Sequence, residues 1–193
     1  MDSDAIVREF SANRLGGDPV PDDLRRLLPH RDELADLTGI ELGWEKDWAP
    51  WLDHSYLRPE EYADPGIAAN IRAMAEVSAH ISFIAQEEDA QWFGFWRGPQ
   101  RLPLAKSPLV FLDNEGQFNA CVASNFAECV LEHTWGEDRF NAVRDWFGSL
   151  GIEVPFQDAK SLLARNWPPR SHEPKKLHEE LFNRYLSESK PAQ

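Results

Sequence analysis

A chain of 193 residues, 42% of them apolar, has the material for a single domain with a core of its own. Its 33 acidic residues against 20 basic ones leave a formal charge of −13. That balance argues against sequence-independent binding of nucleic acid, where Lys and Arg neutralise phosphates, and against attraction to an anionic membrane surface.

The charge is uneven. Residues 1–64 carry 16 acids and 7 bases (−9), residues 65–135 carry 8 and 4 (−4), and residues 136–193 carry 9 and 9. An acidic field over the first two thirds suits electrostatic steering toward a basic partner, and equally suits a protein kept dispersed by its charge. The opening Met1-Asp2-Ser3-Asp4 is acidic and leads into no long apolar run, and no stretch of about 18 apolar residues follows. The expectation is a cytoplasmic protein.

In chain order, the first predicted helix runs over residues 4–15 on Ile6, Val7, Phe10 and Leu15 and ends at Gly16-Gly17. Asp22-Asp23 open a second on Leu24, Leu27 and Leu28, which Pro29 breaks and Asp32 to Leu37 resumes. Gly39 to Tyr56, with Trp44, Trp48 and Trp51, has no clean period and reads as an ordered loop held to the core by its aromatics. Pro59-Glu60-Glu61 starts a short helix, and Ile67, Ile71, Met74, Ala75 and Val77 mark a clearer one after Asp64-Pro65-Gly66.

The strands follow. Ile81 to Gln86 and Gln91 to Trp96 flank an acidic turn at Glu87-Glu88-Asp89. Leu109 to Leu112 and Gln117 to Val122 flank Asp113-Asn114-Glu115-Gly116, where a terminal Gly closes a turn with positive φ. On the last strand Phe118, Ala120 and Val122 share an apolar face opposite Gln117, Asn119 and Cys121. The run Trp92-Phe93-Gly94-Phe95-Trp96 is apolar on both faces. It therefore reads as a central strand packed on each side, or else as one presenting its Trp face to a partner. Gly94, between two indoles, marks a bulge or the close approach of another backbone.

Helices complete the chain. Ser124 or Asn125 caps one, with Glu128 at the position a capping box requires. Others cover Glu137 to Leu150, Asp158 to Arg165 and, after Trp167-Pro168-Pro169, Glu173 to Leu186. The fold expected is α+β: a mostly antiparallel sheet of about four or more strands covered by helices. Residues 1–135 form its domain, and 136–193 are a helical extension packed on it.

Chemistry leaves little trace. There is no nucleophile elbow, no P-loop and no G-x-G-x-x-G, and Gly148-Ser149-Leu150-Gly151 has the wrong spacing. None of His30, His54, His80, His133, His172 and His178 falls in a metal motif. Cys121 and Cys129 match none either, and read as small core residues; Cys129 and His133 share one helix face without any sign of an activated thiolate. The reading is of no enzyme, no cofactor and no metal. Glu87, Glu88 and Asp89 could act as acid and base only if buried together, and in a turn they are expected to be solvated.

The order of helix, strand Phe83 to Asp89, Gln91-Trp92-Phe93-Gly94-Phe95-Trp96, Pro108 to Gly116 and the helix after Ser124-Asn125-Phe126 resembles the SUKH superfamily. That group holds fungal cell-wall-synthesis regulators, Syd-type proteins and many bacterial immunity proteins against polymorphic toxins. Its motifs correspond to Gly94-Phe95-Trp96 on a central strand, the hairpin Leu112-Asp113 to Gly116, and Ala123-Ser124-Asn125-Phe126 at a helix start. The match covers residues 58–135. At the N-terminus, Val20-Pro21-Asp22-Asp23-Leu24 is only a poor version of the family's Leu-Pro signature. The resemblance implies a sheet covered on one face by helices and a binding role, most specifically a bacterial immunity protein that neutralises a toxin.

The partner-binding residues expected on this reading are Glu87, Glu88, Asp89, Trp92, Trp96, Asp113 and Glu115. The alternatives are a regulatory scaffold with no toxin partner, and a hydrolase or metal-dependent enzyme built on the acidic turn and the histidines.

Overall fold

The computed structural model describes residues 2–88 and 91–189. Five antiparallel strands lie in the order β1 (Ile40–Leu42), β2 (Ile81–Glu87), β3 (Gln91–Trp96), β4 (Leu109–Leu112) and β5 (Phe118–Ala120). The helices are α1 (Ser3–Arg14), α2 (Asp22–Leu27), α3 (Arg31–Thr38), α4 (Pro59–Tyr62), α5 (Pro65–Ser78), α6 (Phe126–Glu132), α7 (Glu137–Ser149), α8 (Ala159–Leu163) and α9 (Glu173–Glu188). The fold is α+β, with an antiparallel sheet at its centre.

Local chemistry sets the helix ends. Asp64 caps α5 by accepting from the backbone N–H groups of Gly66 (2.8 Å) and Ile67 (3.0 Å), with Pro65 in the first turn. Asn125 caps α6 by accepting from the Glu128 N–H at 2.9 Å. The capping box expected there does not close. Glu128 is buried, and its carboxylate accepts instead from the Ser124 N–H (2.8 Å), the Ser124 hydroxyl (2.7 Å) and Arg165 (2.7 Å). A charge inside the protein is held more firmly by a cation than by one backbone amide.

β3 is packed on both faces. Phe93 and Phe95 enter one core with Ile84, Leu109, Phe10, Leu24, Phe126, Phe140 and Phe147. Trp96 enters a second core with Phe83, Val110, Leu112, Phe118, Val77, Leu181 and Tyr185. Helices therefore cover both faces of the sheet, which corrects the one-sided arrangement that the SUKH resemblance implied. The cause is visible in β3 itself: with apolar side chains at every position except Gln91 and Gly94, neither face could be left to water without cost.

Gly94 is where the backbones meet. A Cβ there would lie 2.6 Å from Ile81 Cγ2 and 2.8 Å from both Phe83 Cα and Ser82 O. Opposite it the β2–β3 register shifts between Phe83 and Ala85, so Ile84 is the extra residue of a bulge. Both features expected of this glycine are present.

The Trp-rich segment is ordered, but it also holds β1, which pairs Ile40 with Glu87 and Leu42 with Ala85 at the sheet edge. A three-residue strand is too short to show a period among so many aromatics. Beyond it Trp51 packs on Phe83 with ring centroids 4.1 Å apart, and Trp48 meets Trp51 edge-on at 5.3 Å. Arg14 fastens the loop to the sheet by donating to the carbonyls of Phe83 (3.0 Å), Glu45 (3.1 Å) and Trp48 (3.1 Å). Burial lowers the pKa of this guanidinium.

At the other edge β5 stops at Ala120, short of the predicted Val122. Phe118 enters the core under α5 and α9, whereas Cys121 and Val122 both turn into the opposite core. The strict alternation expected of this strand ends where its ladder ends. Residues 136–189 are divided between the two layers. Phe140, Val143, Phe147 and Leu162 complete the first core, and α9 crosses to the second with Leu181 and Tyr185.

Candidate functional site

One end of the sheet gathers carboxylates around the indole of Trp92. Trp92 opens β3 opposite Leu112 and Gln86 and is half-buried. It forms a wall of two clefts. The first, about 570 Å³, is lined by Asp36, Glu41, Gln86, Glu87, Glu88 and Pro50. The second, about 310 Å³, is lined by Trp51, Asp53, His54, Tyr56, Met74, Asp113 and Glu115, with Pro50 shared. Seven carboxylates line the two clefts, and among the described residues no Lys or Arg does.

These acids differ in what already occupies them. Asp113 shapes the β4–β5 turn: one oxygen accepts from the N–H groups of Glu115 (3.0 Å) and Gln117 (2.8 Å), the other from the Asn119 amide (2.8 Å). Its first duty is to the turn. Glu41 accepts from the Gln86 amide at 3.2 Å, and Glu115 from the Gln117 amide at 3.1 Å. Asp53 is held below the usual carboxylate range by the N–H and hydroxyl of Ser55. Above them Tyr56 stands 74% exposed, and the enclosed Nδ1 of His54 and Nε1 of Trp92 have no hydrogen-bond partner among the described residues.

The structure thus brings Glu87, Glu88, Trp92, Asp113 and Glu115 to one end of the sheet. Asp89 lies outside the described residues. Trp96 is a correction. It is 1% exposed, packed under α9, and donates its indole N–H to Glu173 at 2.8 Å, so it offers no surface to a partner. Trp92 and Trp96 share a face of β3, but that face runs from an open end into a core roofed by α5 and α9. The Arg170 guanidinium, with help from Trp96, holds Glu173 below its ordinary pKa.

The histidines do not assemble on the acidic turn. Among the described residues His54 alone reaches either cleft; His80 packs against Trp96, His133 between Phe93 and Phe111, His172 against Trp167 and His178 against Phe118.

Sequence reasoning passed over a larger groove beside β5. About 680 Å³ in volume, it is lined by Phe118, Ala120, His133, Leu163, Trp135 and Trp167. Trp135 is 85% exposed and Trp167 51%. The signal is an aromatic inside each of two stretches between helices, Thr134-Trp135-Gly136 and Trp167-Pro168-Pro169.

Beside this groove, around α6, two buried thiols lie next to a half-buried imidazole. The Sγ atoms of Cys121 and Cys129 are 3.7 Å apart, and one ring nitrogen of His133 lies within 4.8 Å of both. Burial pushes the Cys121 thiol well up and draws the His133 imidazole down to about 4. Glu132 accepts from the N–H groups of Val122 and Ala123, both at 3.1 Å, and burial raises its pKa.

No family model, no curated protein and no solved structure matches this chain. The SUKH resemblance therefore rests on its motifs alone.

Proposed function

We propose that this protein is a non-catalytic binding module that captures a basic protein partner on the acidic end of its sheet, with Trp92 as the anchor. The observation that carries the reading is the wall of seven carboxylates around one half-buried indole, with no Lys or Arg lining either cleft among the described residues. Like charges gathered in concave, low-dielectric surroundings focus the field and raise the encounter rate of an oppositely charged partner. A Trp flanked by such a rim has the composition of an interface hot spot. The immunity-protein form of this reading, with a toxin as the basic partner, comes from the SUKH resemblance.

The test is affinity capture from the source lysate with low-salt and high-salt washes, followed by affinity measurements with the identified partner. The expected partner is basic and its complex loosens as salt rises. Trp92→Ala, checked for native circular dichroism, weakens binding by about thirtyfold, which is the roughly 2 kcal/mol of a hot spot. Glu88→Gln alone changes it by about threefold or less, since an exposed charge is screened. An acidic or salt-insensitive partner, or one that binds Trp92→Ala as tightly as wild type, would refute the proposal.

A further inference from the structure

Two buried thiols and the half-buried imidazole at the end of α6 have the spacing of a metal site. We propose that Cys121, Cys129 and His133 bind one thiophilic cation of the Zn²⁺ class, leaving a fourth position for water or an exogenous ligand. The two thiolates and the imidazole would be the whole protein share of the coordination.

The geometry carries this. Around a tetrahedral Zn²⁺ with Zn–S bonds of about 2.3 Å, two sulfurs stand roughly 3.8 Å apart. The Cys121 and Cys129 sulfurs stand 3.7 Å apart, with a His133 nitrogen within 4.8 Å of each. A cation between them would draw the imidazole inward by about an ångström, a side-chain adjustment at the end of a helix. Cys129 and His133 are four residues apart, so α6 and its C-cap present them on one face.

His133 is prepared for ligation. Its Nε2 is enclosed and has no hydrogen-bond partner among the described residues, which costs free energy unless something binds there. Phe93 and Phe111 hold the ring edge-on, with centroids 4.6 and 4.8 Å away.

The surroundings support a cation as well. Glu132 pins the chain at Val122 and Ala123 to the end of α6, which fixes Cys121 relative to Cys129 and leaves a carboxylate close to both thiols. His133 also lines the groove beside β5 while both thiols are buried, so the imidazole is the side of the site nearest solvent. Binding balances simply: the cation enters, each thiol gives one proton to solvent, and two thiolates and a neutral imidazole remain on the metal.

The experiment uses the full chain, reduced and freed of metal. Zn²⁺ is titrated in competition with a chromophoric chelator, and Co²⁺ is used as a spectroscopic substitute. Wild type is expected to take up one equivalent of Zn²⁺, to gain thermal stability with it, and to show thiolate-to-cobalt charge transfer with the visible bands of a tetrahedral ion. His133→Phe keeps an aromatic ring between Phe93 and Phe111; it should weaken Zn²⁺ binding at least tenfold while the thiolate band persists. Cys121→Ser with Cys129→Ser should abolish the band. Zn²⁺ uptake equal in wild type and His133→Phe, or a Co²⁺ spectrum without thiolate charge transfer, overturns the proposal, and neither result depends on whether the serine variant folds.

Discussion

Replacing Trp96 by Phe separates a core residue from a binding residue. The indole is 1% exposed and donates to Glu173 at 2.8 Å. Glu173 keeps two bonds from Arg170, at 2.8 and 2.7 Å, so the substitution removes a charge-assisted bond without stranding the carboxylate. With Glu173 partly open to water, that loss is worth about 1.5 kcal/mol. Phenyl for indole also removes three heavy atoms from a packed site, at about 1–2 kcal/mol. Trp96→Phe should therefore destabilise by about 3 kcal/mol, which for a chain of this size lowers Tm by roughly 6–12 °C. Urea unfolding with an unchanged slope measures it. Partner affinity below the melting range should stay at the wild-type value. A variant of wild-type stability that has lost its partner would refute the placement of this indole in the core and return it to the interface.

Gly94→Ala must push against backbone, because the new Cβ would sit 2.8 Å from Phe83 Cα; the expected cost is about 1–3 kcal/mol, and an unmoved urea midpoint would show that the two strands are not in this contact. Arg165→Met leaves the buried Glu128 carboxylate with Ser124 but without its cation at 2.7 Å. The loss should be about 2–3 kcal/mol, below the range for a fully enclosed pair because Arg165 is one-third exposed. Adding Glu128→Gln should recover part of it in a double-mutant cycle. His133, drawn down to about 4 by burial, ties stability of the metal-free protein to pH. Below about 6.5 the unfolded chain takes up the proton first, so stability is whole above that pH and falls by about 3 kcal/mol on the way down to pH 4. Wild type minus His133→Phe, measured by urea unfolding across that window, isolates the slope; parallel curves would mean the imidazole is not buried as described.

The secondary structure was legible because its signals are local. Asn125 ahead of Phe126 and the turn of Asp113 to Gly116 act within four residues of themselves, and each caps or turns the chain where the sequence places it, whereas Asp64-Pro65-Gly66, read as an interruption, is the cap and first turn of α5. The two-sided pattern of Trp92 to Trp96 announced a central strand, and Gly94 a close approach, since both follow from side chains alternating along one strand. β1 was not legible: three residues carry no period, and what makes Ile40 to Leu42 a strand is the free edge of β2 beside it.

The site divided in the same way. Glu87 ends β2 and Glu88, Asp113 and Glu115 lie in turns, and turns at one end of a meander come together without further information. Which of two indoles on one face of β3 stays accessible was decided by α9, a helix 77 residues further on, whose Glu173 takes the N–H of Trp96. The groove beside β5 exists because α8 and the Trp167 turn come to rest near the end of α6. Cys121 and Cys129 fit no ligand motif by spacing, yet a strand that ends at Ala120 swings one thiol to within 3.7 Å of the other. Residue identity along the chain set the caps, the turns and the acidic field; packing of distant helices on both sheet faces chose which side chains remain open to a partner and which face each other in the interior.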